Sequence, residues 1–107
     1  MKQARFLRIY LLESDKIDGK PALEAVIRWC KEAGLSGLTV VRAIEGVGTH
    51  GVHSASFLAL SSSLPLIVEA VDTPENIERA IAHLRPRIGH RLVVSWPVEV
   101  MRTDDHA

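Results

Sequence analysis

Cysteine is almost absent: the chain of 107 residues carries one, Cys30. A single thiol excludes an internal disulfide and a cysteine-built metal centre, and a reducing, cytoplasmic setting is the expectation. Net charge is missing as well, with thirteen basic residues against thirteen acidic ones. That balance removes any general attraction to nucleic acid, which is not expected as a partner, and leaves little repulsion between copies. Long apolar runs are lacking, since nothing approaches the roughly 20 apolar residues of a membrane span. Near the start, Arg5 and Arg8 break a short apolar run that has no signal-peptide cleavage site after it. No convincing catalytic set is present either. Ser61, Ser62 and Ser63 have no histidine–acid order to serve them and read as a connector.

What is present is the composition of one small globular domain, 47% hydrophobic and 24% charged. Residues 4–12 read as a first strand, with Leu7, Ile9 and Leu11 on one face and Phe6, Arg8, Tyr10 and Leu12 on the other. A polar loop follows over residues 13–20, and Pro21 opens a helix whose apolar stripe is Leu23, Val26, Ile27 and Cys30. Gly34 is its left-handed stop. A second strand covers about residues 38–45, and residues 55–60 fit either a returning strand or a helical turn. The third main strand runs over residues 64–71. Asp72-Thr73-Pro74-Glu75 then predicts a helix start capped at Thr73 or one residue earlier, and Pro86 limits that helix. A basic turn, Arg87-Ile88-Gly89-His90-Arg91, leads to a last strand near residues 92–101, where Pro97 implies a bulge or an edge. Residues 103–107 read as a frayed tail.

Strand-helix-strand twice in about 100 residues predicts an α+β, ferredoxin-like split βαβ sandwich: a four-stranded antiparallel sheet with two helices on one face. The other face would carry Phe6, Tyr10 and much of the last strand, which argues for a homo-oligomer. An acylphosphatase-type enzyme of the same size would need a basic first loop and a positioned asparagine. Here that loop is acidic and the only asparagine is Asn76, in the second helix, so no enzyme is expected.

The stretch most suggestive of function is Arg42-Ala43-Ile44-Glu45-Gly46-Val47-Gly48-Thr49-His50-Gly51-Val52-His53-Ser54. Gly46, Gly48 and Gly51 could expose backbone amides to an anion, whereas the simpler reading is a flexible hairpin tip. The glycines are not followed by Lys-Ser or Lys-Thr, and their spacing is not that of a dinucleotide fingerprint. His50 and His53 lack a third ligand nearby, so no metal site is assigned and no cofactor is expected. Glu13 and Asp15 read as loop-capping groups paired with Lys16 or Lys20.

Several motifs resemble one family. Leu7-Arg8-Ile9-Tyr10, Glu13-Ser14-Asp15-Lys16, Gly19-Lys20-Pro21 and Glu24-Ala25 look like the opening of the family named domain of unknown function 190. Gly37-x-Thr39-Val40-x-Arg42-Ala43, His53-Ser54-Ala55 and Leu64-Pro65-x-Ile67-Val68-Glu69-x-Val71-Asp72 continue the match, from Leu7 to about Val100. That family is similar to the P-II signalling proteins, and the resemblance implies a cytoplasmic homotrimer that binds a nucleotide or another phosphorylated small molecule between subunits. It also implies a protein partner, an enzyme or a membrane transporter, engaged through the loop near residues 46–54. The turn with Gly89 and Arg91 resembles the P-II phosphate turn, Arg91 taking the place of its lysine. On this resemblance Arg42, Arg87, Arg91 and Arg102 form a phosphate-binding set. The loop is shorter than that of P-II proteins and lacks their modified tyrosine. The alternative is a metal- or ion-responsive trimer that needs no nucleotide.

Overall fold

Alternation along the first strand decides the architecture. Leu7, Ile9 and Leu11 are buried while Phe6, Arg8 and Tyr10 between them are only half-buried, so one face of the strand meets the core. In a computed structural model of the chain, residues 2–48, 51–54 and 63–101 are described. The first strand, β1, spans Lys2–Leu12. Next come a two-residue pair, β2 (Lys16–Ile17) and β3 (Lys20–Pro21), helix α1 (Ala22–Glu32) and strand β4 (Thr39–Arg42). A narrow ribbon of β5 (Glu45–Gly48) and β6 (Gly51–Ser54) follows, then β7 (Pro65–Asp72), helix α2 (Pro74–Leu84) and β8 (Val93–Val100).

The main sheet has the order β4-β7-β1-β8, antiparallel throughout, which is the ferredoxin-like arrangement predicted from the element order. Both helices lie on the face of Leu7, Ile9, Leu66 and Val68, and they contribute Val26, Trp29, Cys30, Ile77, Ala80 and Leu84 to the core. Burial of each large apolar side chain there contributes about 1.5–3 kcal/mol. Among the described residues no polar or charged residue is buried in that core. Thr73 caps α2, its side chain accepting from the Asn76 amide at 3.1 Å. Gly34 ends α1 with φ +99°, as its position in the sequence predicts.

Three local expectations need correction. Pro21 does not begin the helix. It pairs with Lys16 and sits just before α1, whose first amide, from Ala22, donates to the Asp15 carbonyl at 2.8 Å. Strand β4 stops at Arg42 rather than near Glu45. After the Ala43 amide donates to the Pro65 carbonyl at 2.9 Å, the chain leaves the sheet for the ribbon, where Glu45 pairs with Ser54. The residues from Glu13 to Lys20, expected as plain loop, include the β2–β3 pair. Residues 55–60 and 103–107 lie outside the described residues.

The second face of the sheet follows from register. Phe6 lies opposite Val71 and Trp96, Arg8 opposite Glu69 and Val94, and Tyr10 opposite Ile67. Phe6 and Trp96 stack, with centroids 4.5 Å apart. Arg8 sits 5.3 Å from each ring and its Nε donates to Glu69 Oε2 at 2.8 Å. The result is a mostly apolar face with one ion pair near its middle. Edge strand β8 carries Pro97, where a missing amide is tolerated.

Candidate functional site

Antiparallel pairing brings the ends of four segments to one end of the sheet. Strands β1 and β4 finish there, at Leu12 and Arg42, and β7 and β8 begin there, at Pro65 and Val93. The segment after β1, the base of the β5–β6 ribbon and the turn before β8 therefore share this end. Most of the described residues singled out in the sequence lie on these connections.

Arg42 comes from one edge of the sheet. Its Nε and Nη2 donate to the two oxygens of Glu13 at 2.9 and 3.0 Å, a paired fork. The Glu13 backbone amide donates to the Leu64 carbonyl at 2.9 Å, and the Leu64 amide returns a bond to Glu13 Oε1 at 3.1 Å. The Arg42 hydrogen bond, and then the Leu64 amide, hold the Glu13 carboxyl below the usual carboxylate range. The Ser14 amide donates to Ser63 Oγ at 2.8 Å.

Arg91 comes from the opposite edge and is much less exposed, at 13% against 62% for Arg42. Its Nε donates to Asp15 Oδ2 at 3.3 Å, while Nη1 and Nη2 donate to the carbonyls of Ile88 at 3.0 Å and Lys16 at 3.3 Å. Asp15 Oδ2 also accepts from the Leu12 amide at 2.9 Å. Glu13 and Asp15 thus do cap and pair, but with arginines rather than with Lys16 or Lys20.

The turn itself is exposed at Gly89 and His90. Gly89 has φ +68°, which favours glycine. The amides of Arg87 and Ile88 both donate to the Leu84 carbonyl, but among the described residues none accepts from the amides of Gly89, His90 and Arg91. Consecutive unpaired amides around a left-handed residue form a concavity suited to an anion. A cleft of about 420 Å³ adjoins them, lined by Ile81, Arg85, Gly89, Arg91, Val93 and Ser95 among others.

The remaining expected residues are placed differently. Gly46 lies against Pro65, where an added Cβ would come within 2.6 Å of Cγ, so close packing alone accounts for a glycine. In the ribbon, Gly46 pairs with His53 and Gly48 with Gly51. Pairing of this kind turns successive amides to opposite edges. Arg87 is directed away from the Arg91 network: it donates to the His83 carbonyl at 2.6 Å and lies 5.8 Å from the Trp29 ring. Arg102 and His50 lie outside the described residues, as does the side chain of His53. Among the described residues no cluster of histidine, cysteine, aspartate and glutamate is placed to hold a metal. No described helix is long and apolar enough to cross a membrane. Sequence reasoning missed the carboxylate partners of Arg42 and Arg91, and their conjunction on one short segment was the available signal.

Comparison with known proteins shows the family and the fold. The model of the family DUF190, described as an uncharacterized ACR, matches residues 4–100. A UPF0166 protein of Methanocaldococcus jannaschii is 40% identical over 84 residues, 78% of each chain. A UPF0166 protein of Aquifex aeolicus is 38% identical over 98 residues, 91% of this chain and 92% of its own. Among solved structures, CPII of Thiomonas intermedia K12, bound to ADP and bicarbonate, aligns with a TM-score of 0.71 at 19% identity, covering 94% of this chain and 91% of that one. The ATP complex of GlnK from B. subtilis aligns with a TM-score of 0.58 at 10% identity, covering 91% and 84%. The fold is therefore P-II-like, and the chain belongs to the DUF190 family.

Proposed function

We propose that the chain is a P-II-like regulatory protein that binds a nucleotide or another phosphorylated small molecule at the Arg42–Arg91 end of the sheet, between subunits of a homotrimer. It acts as a binding protein and not as an enzyme. The observation that carries this reading is the turn at Gly89, which offers consecutive amides beside Arg91 at the same end of the sheet as Arg42 and the ribbon base. Amides and an arginine fork suit phosphate oxygens. The nucleotides bound by the P-II-like structures CPII and GlnK support the ligand class.

Two further features support assembly and signalling. The face of Phe6, Ile67, Val71 and Trp96 is too apolar to be left open, and copies of the same face can cover one another. Ile44, just before the ribbon, and Val47, within it, are 79% and 76% exposed, which gives a protein partner an apolar contact. Ligand bound at the ribbon base would select the ribbon conformation that the partner recognises.

The test is a thermal-shift screen with adenine nucleotides, cyclic dinucleotides and divalent cations, accompanied by sedimentation velocity. A nucleotide at a hundred times its Kd adds about 2.7 kcal/mol to the native state, which raises the Tm by about 10 °C in a domain of this size. The expected species sediments at about three times the 11.8 kDa of one chain. Absence of any nucleotide shift would overturn the ligand assignment, and a monomer at micromolar concentration would overturn the trimer.

A further inference from the structure

We propose that Glu13 and Asp15 are internal competitors for the anion site, so that a phosphate-bearing ligand binds by taking their places on Arg42 and Arg91. This inference rests on the functional reading above and adds its regulation. The segment after β1 presents two carboxylates to two arginines that arrive from opposite edges of the sheet. A carboxylate offers the planar pair of oxygens that a guanidinium fork accepts from phosphate. Both guanidinium groups are engaged, Arg42 by Glu13 and Arg91 by Asp15 and two carbonyls, and the four side chains sum to no net charge. An incoming anion therefore meets a neutralised site and gains from the arginines only by displacing the carboxylates.

Displacement has a mechanical consequence. Glu13 holds Leu64 as well as Arg42, and Ser14 holds Ser63. Asp15 holds the Leu12 amide through its side chain and the Ala22 amide through its carbonyl. Moving Glu13 off Arg42 releases the Arg42 side chain at the end of β4, and only Ala43 and Ile44 separate Arg42 from the ribbon that starts at Glu45. Ligand occupancy is thereby linked to the ribbon through two residues. The same exchange filters ligands by charge. A ligand with two or more negative charges replaces what it removes, whereas an uncharged nucleoside leaves the arginines with their carboxylates.

The experiment is isothermal titration of the full chain with ADP and with inorganic pyrophosphate, for the wild type, Glu13→Gln, Asp15→Asn and Glu99→Gln. Glutamine at position 13 can still accept the Leu64 amide, and asparagine at 15 can still accept the Leu12 amide, so both variants keep their backbone contacts. Glu99 lies opposite Gln3 at the other end of the sheet and controls for the loss of one negative charge. Each site variant is expected to bind pyrophosphate about twofold to fivefold more tightly than the wild type, the range that one surface ion pair spans. Glu99→Gln is expected to match the wild type, and the gain of Glu13→Gln is expected to vanish when Arg42→Gln is added. Wild-type binding that neither site variant strengthens would overturn the competition and leave the functional reading standing. An equal gain in Glu99→Gln would reduce it to general charge and overturn it too. If no form binds ADP or pyrophosphate, the functional reading falls and the competition with it.

Discussion

Replacing Gly89 by alanine tests the turn on which the ligand assignment depends, and the sign of the effect is informative. An added Cβ would sit 3.6 Å from Arg91 Nη1, an ordinary contact, so no clash contributes. The backbone does contribute, because φ is +68° and an L-residue in the left-handed region costs about 1–2 kcal/mol. Alanine also narrows the unfolded ensemble, which returns about 0.4–1 kcal/mol. The net expectation is a loss of about 0.8 kcal/mol, within a range of about 0–1.6 kcal/mol, which is about 3–4 °C in Tm at the midpoint. Urea denaturation at an unchanged m-value reads this directly. Gly89→Asn should recover part of the loss, since asparagine tolerates this region. Were Gly89→Ala more stable than the wild type by about 0.4–1 kcal/mol, the left-handed turn would be refuted, because that is the gain alanine gives where φ is compatible.

Other perturbations probe the frame around the site. Thr73→Ala removes the cap of α2 and should cost about 1 kcal/mol by chemical denaturation, with Thr73→Ser close to neutral. Burial acts to raise the pKa of Asp72, but bonds from Ser36, Asn76 and Thr73 outweigh it and hold the carboxyl below its ordinary value. A depressed folded pKa gives stability that is present above the unfolded value of about 3.9 and lost as pH falls through the native one. The stability gap between wild type and Asp72→Asn should therefore close below about pH 4 in acid-denaturation curves. Burial pushes the Cys30 thiol up to about 11, so a thiol reagent at pH 8 should label it only as fast as the domain opens.

Periodicity made the strand faces legible. The alternation of Leu7, Ile9 and Leu11 is sufficient to place the core side of β1, and Thr73-Pro74 fixes the start of α2. A hairpin tip was legible around Gly46 to Gly51, but its two strands were not, because Glu45 to Ser54 has too few β-branched residues to read as strands and its pairing is only four residues long. The site partners were hidden for a different reason. Arg42 and Glu13 are 29 residues apart and Arg91 and Asp15 are 76 apart, so only the sheet order brings them together. Lys16 and Lys20 looked like natural partners because they are near in sequence, but arginines placed by the strand ends reach the carboxylates first. The Phe6–Trp96 stack likewise depends on register, which alternation alone does not set.

Hydrogen exchange with and without ADP tests the central claim most directly, because it reports where the ligand acts. Slower exchange is expected in two separate segments, residues 42–48 from the end of β4 into the ribbon and residues 87–92 in the turn, with little change at the far end of the sheet around Gln3 and Glu99. Protection confined to another part of the domain, or none at saturating ADP, would contradict that claim.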